Sequence, residues 1–249
     1  MKRIDLRGVL LPLLLLALAE VLLRWSGINS DSLALPSAVA RALVETLADG
    51  SLLRATLQTL GCALGGLALG AAAGVVLGAL LGVSRRAAVL AWAPVESLRH
   101  MPPVALIPIA LLALGQGVRM EAAIVAFTCF WPVLLLTQAA VAGVEPRLLD
   151  VARVLGLGPA ATVRKIVLPA AGPRIAVALR LAAGIALIVA VTTEIAANPL
   201  GLGYAMLRAQ QELQPARMYA CLAWLALLGW TLNAVLARAE RRAAVGGGR

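Results

Sequence analysis

The chain has 249 residues, 61% of them hydrophobic and 14% charged, with a mean hydropathy of +0.93. A water-soluble domain of that length could not hide so much apolar surface, so lipid is the solvent for most of it. The formal charge of +10 raises nucleic acid as a partner, but with two Tyr and two Phe there is no aromatic-interleaved basic patch; the basic residues punctuate apolar runs instead.

Lys2, Arg3 and Arg7 precede an apolar run from Val9 to Leu23, the first predicted span (8–25). The arrangement mimics a secretory leader, with Ala17-Leu18-Ala19 in the place of a cleavage site. The apolar run continues through Val21, Leu22 and Leu23, as expected of a retained anchor. Pro36-Ser37 opens an amphipathic helix through Ala48, with Val39, Ala42, Leu43, Thr46 and Leu47 on one face. It is expected on the outer surface, against the membrane or against an external partner.

The second predicted span, 56–83, carries Gly66, Gly70, Gly74, Gly78 and Gly82 at four-residue steps, prefixed by Gly61 and Gly65. In lipid such a stripe lets another helix approach closely, and packing inside the subunit is favoured over dimerisation. Ser84, Arg85 and Arg86 mark its cytoplasmic edge. The third apolar region, 87–114, is interrupted by Pro94, Glu96, Arg99, His100, Pro102, Pro103 and Pro108. It is therefore expected to be a broken helix that lines a cavity, or a kinked helix end at the headgroups. Arg99 needs water or a partner, and Glu96, three residues upstream, is placed to pair with it. His100 alone reads as a packed or interfacial histidine rather than a ligand.

Polar positions in the fourth span, 120–142, are read at Thr128, Thr137 and Gln138. The fifth, 175–197, has Arg180 near its inner end, where it can snorkel, and Glu194 near its outer end, facing a bundle interior or a wet cavity. Residues 198–217 read as a polar, hairpin-like connection, and the sixth span covers 218–237. Cys62, Cys129 and Cys221 each sit in an apolar run and read as buried thiols, not a metal or disulfide set. With the N-terminus inside, this topology puts most of the 22 basic residues on the cytoplasmic side, as the positive-inside rule requires.

Between the fourth and fifth spans lies a polar island, 143–174. Its stretch Asp150–Pro169 carries Arg153, Arg164 and Lys165, with Gly156, Gly158 and Pro159 placed to end one short helix and start another. Leu148, Leu149, Val151, Ala152 and Leu155 are expected on one helical face. Val163, Ile166 and Val167 repeat at helical steps until Pro169 and Pro173 break the pattern. A helix–turn–helix with one apolar side at the membrane surface suits docking.

This island resembles the EAA loop of ABC-transporter membrane subunits, the permeases, whose pattern is Glu-Ala-Ala, three residues, Gly, nine residues and Ile-x-Leu-Pro. Here Asp150-Val151-Ala152 stands for the first part, Gly156 follows at the family's spacing, and Ile166-Val167-Leu168-Pro169 completes it. The departures, Asp for Glu and Val for the first Ala, keep the charge and the apolar character. Leu35-Pro36-Ser37, Leu98-Arg99-His100-Met101-Pro102-Pro103 with Ile107-Pro108, Leu179-Arg180-Leu181 with Glu194, and Gly201-Leu202-Gly203-Tyr204 are similar to the nitrate/sulfonate/taurine branch of the binding-protein-dependent importers. His100 departs from the Pro usual at its position.

The resemblance implies an all-α polytopic membrane protein, about six transmembrane helices in a single domain with the type I (MetI-like) importer permease fold. It implies a bacterial inner-membrane location, both termini cytoplasmic, a second permease copy, two ATP-binding subunits and an extracytoplasmic substrate-binding protein. ATP and Mg would sit on the partner ATPase and no cofactor in this chain, which carries no Gly-x-x-x-x-Gly-Lys-[Ser/Thr] loop. No metal cluster, nucleophile elbow or paired carboxylate site is read from the sequence, so the chain is expected to be a pathway, not an enzyme. The coupling residues expected on that basis are Asp150, Ala152, Arg153, Gly156, Leu157, Ile166 and Pro169. The pathway candidates are Arg99, His100, Pro102, Pro103, Arg180 and Glu194.

The expected cargo is a small anion such as an aliphatic sulfonate, taurine or nitrate. A thiamin-precursor pyrimidine or another small solute is the alternative. A secondary transporter would need acids near the membrane midplane, and Glu194 is the one hint of that.

Overall fold

Backbone amides find no water in hydrocarbon, so a spanning segment must close its hydrogen bonds internally. In the computed structural model, which describes residues 6–26 and 32–246, the chain does so with helices, and no strand occurs among the described residues. They are α1 (Leu6–Ser26), α2 (Pro36–Ala48), α3 (Ser51–Val83), α4 (Arg85–Arg99), α5 (Ile107–Leu114) and α6 (Val118–Ala142), followed by α7 (Pro146–Val154), α8 (Pro159–Thr162), α9 (Leu168–Ala197), α10 (Gly201–Gln211) and α11 (Pro215–Gly246). Four helical stretches of the described residues are long and apolar enough to cross a membrane: Ser51–Val83, Val118–Ala142, Pro159–Ala197 and Pro215–Arg238. A fifth forms if α4 and Pro103–Leu114, bent by 87°, count as one broken span. The break falls at Met101-Pro102, where Pro102 and Pro103 cannot continue an α-helical ladder.

The core is the α3–α6 pair, and glycine makes it possible. A Cβ at Gly66 or Gly82 would stand 2.6 Å from the Cβ of Val125 or Val141, and at Gly78 2.5 Å from the Leu134 carbonyl oxygen. At Gly70 it would fall on the Ala126 carbonyl oxygen. The two backbones thus touch along the whole stripe, and dispersion contacts between them stand in for the hydrophobic effect that lipid does not supply. Gly61 and Gly65 do not belong to this face, since nothing lies within 4 Å of a Cβ at either. The α9 helix closes the core with Ala182, Ala186 and Ala190, packed beside Ile124, Val125, Cys129 and Val133. All three cysteines are free and buried.

Three connections differ from their expected form. Pro169 does not end a helix, because a π turn over Val163–Val167 shifts the ladder, Leu168 N–H bonding back to the Val163 carbonyl, before Pro169 enters the first turn of α9; Pro173 lies inside α9 and does not end it either. The second half of the polar island is therefore the base of the long helix. Residues 198–217 are no hairpin; they contain α10, packed against α9, α3 and α11. The α2 helix has its expected bounds, but it packs on α11 and α3, with Ala42 and Thr46 buried. Its start is capped from α1, where the Glu20 carboxylate accepts from the Ser37 amide at 3.0 Å and the Ser37 hydroxyl at 2.7 Å. Between α2 and α3, bonds from the Ser51 hydroxyl and its amide (2.7 Å) hold the Asp49 carboxyl below the usual range.

Candidate functional site

The α7 helix ends as a Schellman motif: Leu157 N–H bonds to the Ala152 carbonyl and Gly156 N–H to the Arg153 carbonyl, both at 3.0 Å, with Gly156 at φ +63°. Gly156 serves the turn rather than a close approach, since a Cβ there meets nothing within 4 Å. The apolar residues expected on one face are divided. Leu149 and Ala152 (2% exposed) turn inward, Leu149 against the cluster of Ala140, Val141, Val167 and Ala171. Val151, Val154 (87% exposed) and Leu155 (64%) point away from the bundle, with Leu148 beside them. Asp150 and Arg153 form an exposed ion pair at 2.8 Å along the rim. Beneath the turn, Leu149, Leu157, Pro159, Thr162 and Val163 line a cavity of about 360 Å³. Ile166 lies half-buried in the π turn, and Pro169 is exposed at the base of α9.

The pathway candidates separate into three places. Arg99 pairs with Glu96 through two bonds of 2.8 and 2.6 Å, as the three-residue spacing predicts, while His100 Nδ1 sits 2.6 Å from the Glu96 carbonyl. At the kink, Arg99 and Pro103 line a cavity of about 290 Å³ with Thr128, Trp131 and Ile185, next to the exposed Pro102. The Trp131 indole N–H has no protein acceptor there. Arg180 lies elsewhere, in an apolar cavity of about 700 Å³ between α9 and α11 that also includes Thr192 and Asn233; its guanidinium is 2.9 Å from Glu240.

Glu194 lines neither of these cavities. It is 1% exposed, and its carboxylate accepts from the Thr59 hydroxyl and the Gly203 amide, both at 2.7 Å. The Thr59 oxygen in turn accepts from Leu202 N–H at 2.9 Å. Glu194 thus brackets the turn into α10, and Gly201 (φ +88°) leaves the space its carboxylate fills. Gly201→Ala should cost about 1–3 kcal/mol through overlap, with left-handed strain in addition. A thermal melt in detergent checks this, with Gly184→Ala, where a Cβ meets nothing within 4 Å, as the silent control.

Glu121, fully buried in the first turn of α6, escapes a reading of the sequence because an acid one residue inside a span reads as headgroup-facing. The Asn198 amide donates to it.

A family model described as "Binding-protein-dependent transport system inner membrane component" matches residues 70–244. A Bacillus subtilis (strain 168) chain named for aliphatic sulfonates transport, the permease protein SsuC, is 28% identical over 95% of this chain and 86% of its own. The bicarbonate transport system permease protein CmpB of Synechococcus elongatus is 28% identical over 71% of this chain and 64% of its own. For the nitrate import permease protein NrtB of Leptolyngbya laminosa the figures are 29%, 69% and 61%. Among solved structures, a chain of the inward-facing MetNI methionine ABC transporter superposes with a TM-score of 0.69 at 19% identity, over 77% of this chain and 95% of that one. That likeness gives the fold, and the family match gives the role. With its apolar spans and the match over residues 70–244, the chain belongs to the inner-membrane components of binding-protein-dependent transport systems and is an ABC importer permease subunit.

Proposed function

We propose that the chain works as one of two identical permease copies, driven by separate ATP-binding subunits and fed by an external substrate-binding protein. The observation that carries this reading is the outward apolar face of α7, where Val151, Val154 and Leu155 stay uncovered on a helix anchored from its other side. Closure of an ATPase dimer on ATP and Mg would move that face, and the base of the long helix from Pro159 would pass the motion into the spans. Asp150 and Arg153 would orient the contact, with Gly156 and Leu157 setting the turn and Ile166 and Pro169 the helix base. Ala152, being inward, would hold α7 on the bundle. Both termini are taken as cytoplasmic, with α1 a retained anchor held by Glu20.

The cargo we infer is a small anion, the class named in the sulfonate, bicarbonate and nitrate relatives. Favouring this is the kink cavity, where the Arg99 guanidinium lies beside a broken helix. Arg99→Gln is expected to raise the half-saturation concentration for uptake about tenfold, the loss of one charge-assisted bond. An unchanged value would remove Arg99 from the pathway. The substrate class is tested by growth of a strain lacking the chain, with the gene restored as control, on taurine, alkanesulfonates, sulfate, nitrate or ammonium as single sources. Selective loss on sulfonates or nitrate supports the anion. Growth unaffected on every source points to a pyrimidine or another solute.

A further inference from the structure

Glu121, at the start of α6, and Glu194, near the end of α9, face each other inside the bundle, 0% and 1% exposed, with their carboxyl groups within hydrogen-bonding reach. Both oxygens of Glu194 are already supplied with donors, from Thr59 and from Gly203 N–H. Glu121 has one oxygen occupied by the Asn198 amide; the other, Oε1, has no donor, and Asn198 Oδ1 is likewise buried and unpartnered. The groups presented around the pair are Thr59 and Cys62 from α3, with Gln58 at the edge bonding Gly201 N–H, Asn198 from the end of α9, and backbone amides from α10. No Lys, Arg or His among the described residues acts on either carboxyl, and no cluster of the described residues could hold a metal ion. Two carboxylates at that separation, out of water and without a cation, cannot both carry charge.

We propose that the pair is a proton-binding site in which Glu121 is the neutral acid and donates its proton from Oε1 to the Glu194 carboxylate. The proton completes a latch that ties α6 to the α9–α10 turn and to α3, and gives Glu121 Oε1 the hydrogen bond it otherwise lacks. The site lies apart from the coupling helix and from the kink cavity, so it does not rest on the anion reading. Removing the proton to solvent hydroxide leaves two adjacent negative charges and pushes α6 from the α9–α10 turn. The native state then binds one proton more than the unfolded chain at neutral pH, and stability falls as pH rises, by up to about tenfold in the folding equilibrium per pH unit.

The test uses the purified full-length chain in detergent. The infrared spectrum of the native chain at neutral pH is expected to show a protonated-carboxyl C=O band that disappears in Glu121→Gln, whose amide keeps a donor for Glu194. The thermal midpoint of the native chain should drop on raising the pH, Glu121→Gln should keep the neutral-pH midpoint without that drop, and Glu121→Ala should lose the midpoint at every pH. Absence of the band from the native chain, its persistence in Glu121→Gln, or an unchanged alkaline drop in that variant overturns the proposal. Should Glu121→Gln not yield folded protein, Glu194→Gln decides: it leaves the proton on Glu121 and shifts the band by changing its acceptor. An unshifted band places the proton elsewhere.

Discussion

Gly156→Asp is expected to abolish transport while leaving the protein folded in the membrane. The turn itself tolerates the change at modest cost, because a Cβ at Gly156 meets open space and Asp visits the left-handed region more readily than most residues. The loss comes from the partner side: an unpaired carboxylate carried into an apolar cleft costs about 3–5 kcal/mol, a factor above a hundred in the docked population. Leu155→Asp on the exposed face should act alike, and Leu155→Met should be nearly silent. Membrane content, co-purification of the ATP-binding subunit and uptake are measured together. Normal uptake by Gly156→Asp would remove α7 from the coupling path.

The largest effect on folding is expected at Gly70. Valine there drives its Cβ into the Ala126 carbonyl oxygen, a backbone atom that cannot swing aside, so α3 and α6 must part. Overpacking of this kind costs about 1–3 kcal/mol for a single methyl and more for a branched side chain, and the parted helices also lose contact at Gly66, Gly74 and Gly78. The folded yield in detergent should collapse. Gly65→Val, on the same helix and facing open space, should yield as much as the native chain. Equal yields for the two variants would show that the stripe is not a packing face.

The features that follow local rules were legible. Glycines four apart define a packing face, prolines at 102 and 103 break a helix, and Glu96 three residues before Arg99 pairs with it. What escaped depends on tertiary partners. Leu149 and Leu155 are read on one helical face, and the cluster of Ala140, Val141, Val167 and Ala171 decides which turns inward. Pro169 reads as a stop because the π turn that accommodates it has no sequence signature. Glu121 became visible as a buried acid once α9 placed Glu194 and Asn198 against it. Glycines at 201 and 203, read as part of a motif, proved to be the space and the donor that a carboxylate on another helix needs.

The most direct measurement is uptake into proteoliposomes that contain this chain and its ATP-binding subunit, with the substrate-binding protein outside and labelled sulfonate or nitrate as cargo. Uptake that requires internal ATP and the binding protein, is absent with Gly156→Asp and is indifferent to a proton gradient is the predicted result. Uptake driven by an ion gradient without ATP would contradict the account.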